Sequence, residues 1–199
     1  MADYFTYGEI EIAHLKRRDK KLGAVIDAIG PIRRTVTPDL FQALLFSIVG
    51  QQISSKAAST VRARLDARCE LTPAGLALTP VEDIRQCGMS LRKAGYIKGI
   101  AEAVHGGGLD LAALASLPDK EVIARLVALD GIGVWTAEML LIFCLRRPDV
   151  VSWGDLAIRR GMMRLYTLRS LDREQFERRR KRYAPYGSVA SLYLWALSA

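Results

Sequence analysis

The chain has 199 residues, half of them hydrophobic, and 29 Lys and Arg against 21 Asp and Glu give it a formal net charge of +8. This composition predicts one folded, basic protein with a buried core and excludes a disordered chain. The longest apolar run, Met139 to Leu145, is far shorter than the roughly 20 residues of a membrane span, and the N-terminus lacks the apolar region of a secretion signal.

Apolar residues recur at helical spacing along nearly the whole chain, while alternating strand patterns are hard to find. The sequence therefore predicts an all-α fold. Thr37-Pro38-Asp39 starts the first clear helix, and Ser54-Ser55 starts the next. Further starts are predicted at Thr79-Pro80, at Ser90 before a helix over residues 93–104, and at Leu117-Pro118-Asp119.

Two glycines, Gly131 and Gly133, separate the helix that ends near Leu129 from the one that follows. Glycines let the backbone turn tightly and approach a ligand closely, and the next helix begins with N–H groups that suit a phosphate oxygen. A bare Gly-x-Gly is also typical of an ordinary helix–helix turn. Ile132 between the glycines and the small Thr136-Ala137 beyond them favour a helix-hairpin-helix.

The helix after the hairpin is predicted over residues 135–146, because Pro148 prevents its continuation. Asp155 then precedes another apolar-periodic helix, where an Asp is typical of an N-cap. The dipole of the helix keeps a carboxylate at this position ionised, as a catalytic group facing positive charge requires. The capping and the catalytic interpretation are compatible.

The cysteines and histidines limit which metal sites and disulfides are expected, and the basic residues limit which partners are expected. Three distant cysteines without a Cys-x-x-Cys and two isolated histidines predict no disulfide framework, no cysteine or histidine metal site and a reduced, cytosolic setting. From Arg159 to Arg182, ten basic and three acidic residues give +7 of the net +8. The run Arg178–Arg182 is either a solvated helix face or a surface that attracts phosphate.

Four motifs together resemble the helix-hairpin-helix DNA glycosylases with a Gly/Pro-rich loop and a catalytic aspartate (HhH-GPD), and within them the 3-methyladenine DNA glycosylase II branch. Their order and spacing carry the resemblance, which runs from about Thr37 to the C-terminus. The motifs are Gly50-Gln51-Gln52-Ile53-Ser54 with Lys56-Ala57-Ala58, Gly88-Met89-Ser90 with Lys93 and Tyr96-Ile97, the hairpin through Asp155, and Pro185-Tyr186-Gly187-Ser188-Val189-Ala190 with Tyr193-Leu194-Trp195.

The resemblance implies a single glycosylase unit over residues 1–199, with two helical lobes and an active-site cleft between them. The lobes are expected at about 36–128, and at 1–35 together with 129–199. The implied partner is damaged double-stranded DNA, and no membrane is expected as a partner. The protein is expected to act as a monomer, in the cytosol of a bacterium or archaeon or in a eukaryotic nucleus.

The implied reaction is hydrolysis of the N-glycosidic bond of an alkylated purine, such as 3-methyladenine or 7-methylguanine, after the nucleotide is flipped out. Asp155 would stabilise the oxocarbenium-like transition state or activate water. Trp135, Trp195 and Trp153 would form the base pocket, with core packing as the alternative for the first two. The helix after the hairpin has no lysine for a Schiff base, so the enzyme would be monofunctional.

The resemblance also assigns DNA contacts. Gln52 would enter the minor groove, with a helix-capping or core amide as the alternative. Carbonyls of the hairpin could hold a monovalent cation; no other cofactor is expected. The remaining DNA-binding candidates are Gly131, Gly133, Val134, Thr136 and Ser54, and the cation candidates are Leu129 and Gly131.

Two other functions remain open at this stage. The chain could be a glycosylase for another lesion, such as uracil or a deaminated purine, or a non-catalytic DNA-binding module in which Asp155 only caps its helix. Gly187 stands where many relatives have Arg, which weakens the expectation of a phosphate contact there, and residues 1–30 show no motif.

Overall fold

The computed structural model describes residues 3–198, which form twelve α-helices and one short 3₁₀ helix (Ala113–Ser116). The only β pairing in this range is an isolated bridge between Tyr4 and Thr35, so the predicted all-α fold is confirmed. No helix within residues 3–198 is both long and apolar enough to cross a membrane. The helices are α1 (Glu9–Arg18), α2 (Lys20–Ile29), α3 (Leu40–Gly50), α4 (Ser55–Arg68), α5 (Pro73–Leu78), α6 (Val81–Arg85), α7 (Leu91–His105), α8 (Asp119–Val127), α9 (Val134–Phe143), α10 (Leu156–Tyr166), α11 (Arg173–Arg180) and α12 (Gly187–Ser198).

Side-chain caps begin three of the helices whose starts the sequence predicts. Asp39, Ser54 and Ser90 cap α3, α4 and α7, and each side-chain oxygen accepts the backbone N–H three residues later, at 3.0, 3.2 and 3.3 Å. Such a bond satisfies an N–H that the helix itself cannot pair. Helix α8 also begins at a predicted start, at Asp119 directly after Pro118, but without a side-chain cap.

Helix α9 is shorter than the sequence predicted. It spans Val134–Phe143 rather than residues 135–146. Arg146 adopts a left-handed φ of 54°, and the Arg147 N–H donates to the carbonyl of Leu141 at 2.8 Å. The chain therefore turns away before Pro148, the residue expected to end the helix.

The chain divides into two compact units, one formed by Thr37–Leu140 and the other by the residues on either side of it. The resemblance predicts that the central lobe ends at about residue 128 and that the hairpin belongs to the other lobe. In the structure the central unit continues to Leu140, within α9. The hairpin therefore lies in the central unit, where Gln51 donates to the carbonyl of Gly131 at 2.8 Å.

Within the central unit, α7 is the element on which α3, α5 and α6 pack. Its apolar side chains recur at helical spacing and face inward. The helix therefore links the end of α3 to the hairpin, which packs against Tyr96. The buried residues of α7 are Ala94, Ile97, Ile100 and Ala101.

In the other unit, α10 and α12 make the most extensive helix–helix contact, and their backbones come close together at Gly161. A Cβ added at Gly161 would lie 2.7 Å from the carbonyl carbon of Leu194 and would overlap its oxygen. Only a glycine permits this backbone-to-backbone distance.

The N-terminal residues join this unit through a buried polar cluster. The Asp19 carboxylate, which caps α2, accepts a hydrogen bond from the Tyr166 hydroxyl and lies 3.3 Å from the Arg182 guanidinium. The Tyr166 and Tyr183 hydroxyls are 2.9 Å apart. Burial raises the pKa of both tyrosines far above its ordinary value, so both remain neutral.

The basic run at the end of α11, Arg178–Arg182, makes contacts within the same unit. The guanidinium carbons of Arg179 and Arg182 lie 5.0 and 5.8 Å from the centroid of the Tyr166 ring, and Arg180 pairs with Glu177 at 3.7 Å. Several arginines of the run therefore contact other side chains of the protein. Neither a solvated helix face nor a surface that attracts phosphate predicts these contacts.

We expect Gly161→Ala to lower the free energy of unfolding by about 1–3 kcal/mol, because the new methyl group meets fixed backbone. Gly99→Ala is the matched control: this exposed glycine of α7 has no described atom within 4 Å of an added Cβ, and the change should raise stability by roughly 0.5–1 kcal/mol. Urea unfolding of both variants measures the effects. Equal stability of the two would contradict the close packing of α10 on α12.

Candidate active site and DNA-binding hairpin

The turn between α8 and α9 depends on Gly131. The Ile132 N–H donates to the carbonyl of Leu129 at 3.1 Å and closes the turn, and Gly131 has a left-handed φ of 83°. A Cβ at Gly131 would lie 2.8 Å from the Ile48 side chain and would overlap the ring of Tyr96. Both the turn and the packing therefore require glycine.

Gly133 has a different environment from Gly131. No described atom lies within 4 Å of a Cβ built at Gly133, and its carbonyl accepts the Ala137 N–H at 3.0 Å as α9 begins. Val134, the first residue of α9, is 53% exposed. Neighbouring packing therefore leaves open space in front of Gly133, which would let a backbone phosphate approach the helix N-terminus closely.

Two residues of the sequence motifs, Gln51 and Lys93, make hydrogen bonds that connect α3, α7 and the hairpin. Gln51 ends α3, and its side-chain amide donates to the carbonyl of Gly131 at 2.8 Å. The Lys93 ammonium of α7 donates to the carbonyls of Val49 and Gln51, at 3.0 and 2.5 Å. Periodicity could not reveal these contacts, because they join residues far apart in sequence.

The two carbonyls expected to hold a monovalent cation already accept hydrogen bonds from the protein. The Leu129 carbonyl accepts from Ile132, and the Gly131 carbonyl accepts from Gln51. Each carbonyl oxygen has two lone pairs, so one accepted hydrogen bond leaves the second lone pair for a cation. No cluster of His, Cys, Asp and Glu suited to a metal occurs within residues 3–198.

The loop between α3 and α4 is exposed. Gln52 has a left-handed φ of 58°, and Ile53 is 41% exposed. Gln52 is therefore not a core amide, and the residue that ends α3 is Gln51. Ser54, also a DNA-binding candidate, is exposed and uses its hydroxyl to cap α4.

Asp155 is buried, with only 7% of its surface exposed. Its Oδ1 atom accepts the Ile158 N–H at 2.9 Å, so the predicted N-cap of α10 is confirmed. Val151 and Ser152 just before it are also buried. The carboxylate is thus fixed at the positive end of a helix dipole in a largely water-excluded position, where its charge acts more strongly than in water.

The three tryptophans have three different environments. Trp135 is 49% exposed, which excludes core packing as its role. Trp195 stacks on Phe143, with ring centroids 5.5 Å apart and planes inclined by 29°. The two stacked rings together form a broad aromatic surface, to which α12 contributes Trp195.

Trp153 is surrounded by aromatic and cationic groups. The edge-on ring of Phe176 lies 5.2 Å from it. The guanidinium carbons of Arg159 and Arg173 lie 4.9 and 5.4 Å from its centroid. Its surface is thus partly covered by the protein's own cations.

The structure groups the candidate residues by compact unit. The central unit holds Trp135, the hairpin and the Gln52 loop, whereas the other unit holds Asp155 with Trp153 and Trp195. Residues 45–185, which include the hairpin and Asp155, match the family model of the HhH-GPD superfamily of base excision DNA repair proteins. The chain belongs to this superfamily.

Individual HhH-GPD relatives match almost the full length. DNA-3-methyladenine glycosylase 1 of Schizosaccharomyces pombe is 33% identical, over 97% of this chain and 87% of that protein. The crystal structure of a DNA-3-methyladenine glycosidase from Bacillus halodurans has a TM-score of 0.90 and 37% identity, over 98% and 92% of the two chains. A 3-methyladenine DNA glycosylase of S. pombe in complex with abasic DNA has a TM-score of 0.80 and 31% identity, over 94% and 95%.

The two hairpin glycines should separate stability from DNA binding. Gly131→Ala should lower the free energy of unfolding by at least about 2 kcal/mol, because it adds both backbone strain and overlap. Gly133→Ala should fold with nearly unchanged stability but bind duplex DNA more weakly, since its methyl group enters the open space before α9. Thermal unfolding and fluorescence anisotropy with a labelled duplex measure the two effects. A Gly133 variant that binds as well as wild type would argue against a phosphate at this turn.

Proposed function

We propose that this HhH-GPD protein is a monofunctional DNA glycosylase of base excision repair, which hydrolyses the N-glycosidic bond of alkylated purines such as 3-methyladenine and 7-methylguanine. The observation that carries the proposal is the buried Asp155 carboxylate fixed at the start of α10, in a chain similar over nearly its whole length to DNA-3-methyladenine glycosylases. A module that only bound DNA would need the hairpin but not a buried carboxylate.

Asp155 would act on the sugar of a nucleotide that has been flipped out of the duplex. Damaged bases pair and stack poorly, so they cost the least free energy to extrude. As the N-glycosidic bond lengthens, positive charge develops on the sugar ring, and a nearby carboxylate stabilises it. Because the capping bond already fixes Asp155, little reorganisation is needed during the reaction.

The base side of the reaction needs aromatic surface more than a general acid. A purine alkylated at N3 or N7 is cationic within the nucleotide and leaves as a neutral base. Its cationic ring is attracted to the faces of electron-rich aromatic side chains. We assign this role to Trp135, which is half exposed, and to Trp195 on its Phe143 support.

The sequence supports a hydrolytic reaction without strand cleavage. A bifunctional glycosylase attacks the sugar with an amine to form a Schiff base, yet α9 contains no lysine, and none occurs between Lys120 and Lys181. Water is then the nucleophile, and the expected product is an abasic site.

The DNA would be bound by the hairpin and the Gln52 loop of the central unit. The net charge of +8 favours duplex DNA without regard to sequence and predicts strongly salt-dependent affinity. We propose that the protein acts as a monomer without a required cofactor, in the cell compartment that holds the genome.

Asp155→Asn tests the catalytic role because it removes the charge but keeps an oxygen that can cap α10. Asn caps helices about as well as Asp, so stability should change little, whereas base release should fall at least about 10²-fold. The assay uses a duplex with 3-methyladenine or 7-methylguanine and measures free base and alkali-labile sites.

Asp172→Asn is the matched control, since Asp172 caps α11 with the same bond, to the Gln175 N–H at 2.7 Å. This variant should release base at the wild-type rate. If wild type releases no methylated base, or if the Asp155 variant is equally active, the proposed mechanism is wrong. Uracil and hypoxanthine duplexes in the same assay test the other lesions.

Trp135→Ala tests the aromatic surface of the pocket. Because Trp135 is half exposed, the unfolding midpoint should change little. The kcat/KM value for 7-methylguanine should fall about tenfold, more than for neutral hypoxanthine if that base is released at all, since the cation–π attraction is lost. Equal losses for the charged and the neutral base would indicate a purely steric role.

A further inference from the structure

Helix α7 carries two lysines that bind backbone carbonyls at the ends of other helices. Lys93 donates to the carbonyls of Val49 and Gln51 at the end of α3, at 3.0 and 2.5 Å. Lys98 donates to the carbonyls of Ala77 and Thr79 at the end of α5, at 2.8 and 3.0 Å. A cation at a helix C-terminus stabilises carbonyls that lack helical partners.

Only the Lys93 contact continues to a predicted DNA-binding element. Its ammonium holds the main chain of Gln51, and the Gln51 side chain donates to the carbonyl of Gly131. The next residue, Gln52, has the left-handed φ that begins the exposed loop. One ammonium group is therefore linked by hydrogen bonds both to the hairpin and to the start of the Gln52 loop.

We propose that Lys93 and Gln51 form a clamp that positions the hairpin and the Gln52 loop for DNA. They are positioning residues, because their hydrogen bonds are made to the protein's own carbonyls. The inference rests on the proposed DNA binding of these two elements but requires no particular lesion or reaction.

The environment of Lys93 supports an internal role. Its side chain is partly buried, and burial lowers the pKa of the ammonium. A lysine that served only to attract phosphate would gain nothing from this loss of hydration. The two carbonyls replace the lost water, and with the Gln51 amide they fix the direction of the Gly131 peptide.

The test measures binding to an undamaged duplex by fluorescence anisotropy at several salt concentrations. Lys93→Met and Gln51→Leu should each weaken DNA binding about tenfold. The double variant should bind DNA about as tightly as the single variant with the lower affinity, because both changes break the same clamp. The slope of log affinity against log salt should stay at the wild-type value. A direct phosphate contact would instead lower the slope by about one.

Lys98→Met is the matched control, because it removes the same charge from the same helix and frees two carbonyls of the same kind. It should bind DNA within about twofold of wild type, even if its unfolding midpoint falls as much as that of Lys93→Met. Gln51→Leu keeps the test valid if Lys93→Met does not fold, since it breaks the clamp without removing a charge.

Three results would overturn the clamp: Lys98→Met weakens binding as much as Lys93→Met, the two clamp variants have additive effects, or Gln51→Leu binds like wild type. The undamaged duplex separates this inference from the proposed function. If the clamp variants lose DNA binding as expected but the wild-type protein releases no base, the inference about the clamp stands and the proposed glycosylase function is wrong.

Discussion

The packing of α3 and α7 against Gly131 is the constraint on which the central unit's predicted DNA-binding surface depends. The left-handed glycine turns the chain from α8 into α9, and its missing Cβ lets Tyr96 and Ile48 close against it. The turn is thereby shaped by protein contacts alone. A phosphate bound at a preformed turn would meet no further entropic cost for ordering it, so under the proposed function the rigidity of the hairpin would favour DNA binding.

The proposed function gives Asp155 a second role beside the cap of α10. Asp39 and Asp172 also cap helices through an Oδ1 contact to an N–H and are exposed, whereas Asp155 and Asp19, the cap of α2, are buried. Capping does not require burial, and the burial of Asp19 accompanies its contacts with Tyr166 and Arg182. Burial of Asp155 increases the effect of its charge on a neighbouring cationic sugar, while the cap prevents the side chain from rotating away. The same bond thus serves folding and the proposed chemistry.

Local signals in the sequence predicted most of the fold. Caps such as Ser54 and Ser90 and the hairpin glycines act within a few residues, so their patterns can be read directly from the chain. Contacts between distant segments were not predictable: the clamp of Lys93 and Gln51, the guanidinium groups on Trp153, and the link from Asp19 to Tyr166. These depend on how helices pack, which a pattern of 3.6 residues per turn does not specify. The end of α9 was missed for a related reason, since Arg146 carries no glycine-like signal for its left-handed conformation.

The contact at Gly161 has a consequence for the other unit's candidate residues. Gly161 lies on the helix that begins after Asp155, and its partner Leu194 is adjacent to Trp195. Because main chain meets main chain there, the distance between the axes of α10, which Asp155 caps, and α12, which carries Trp195, cannot adjust through side-chain rotation at Gly161. A substitution that wedges these axes apart would loosen the geometry of the carboxylate and the indole without altering either residue.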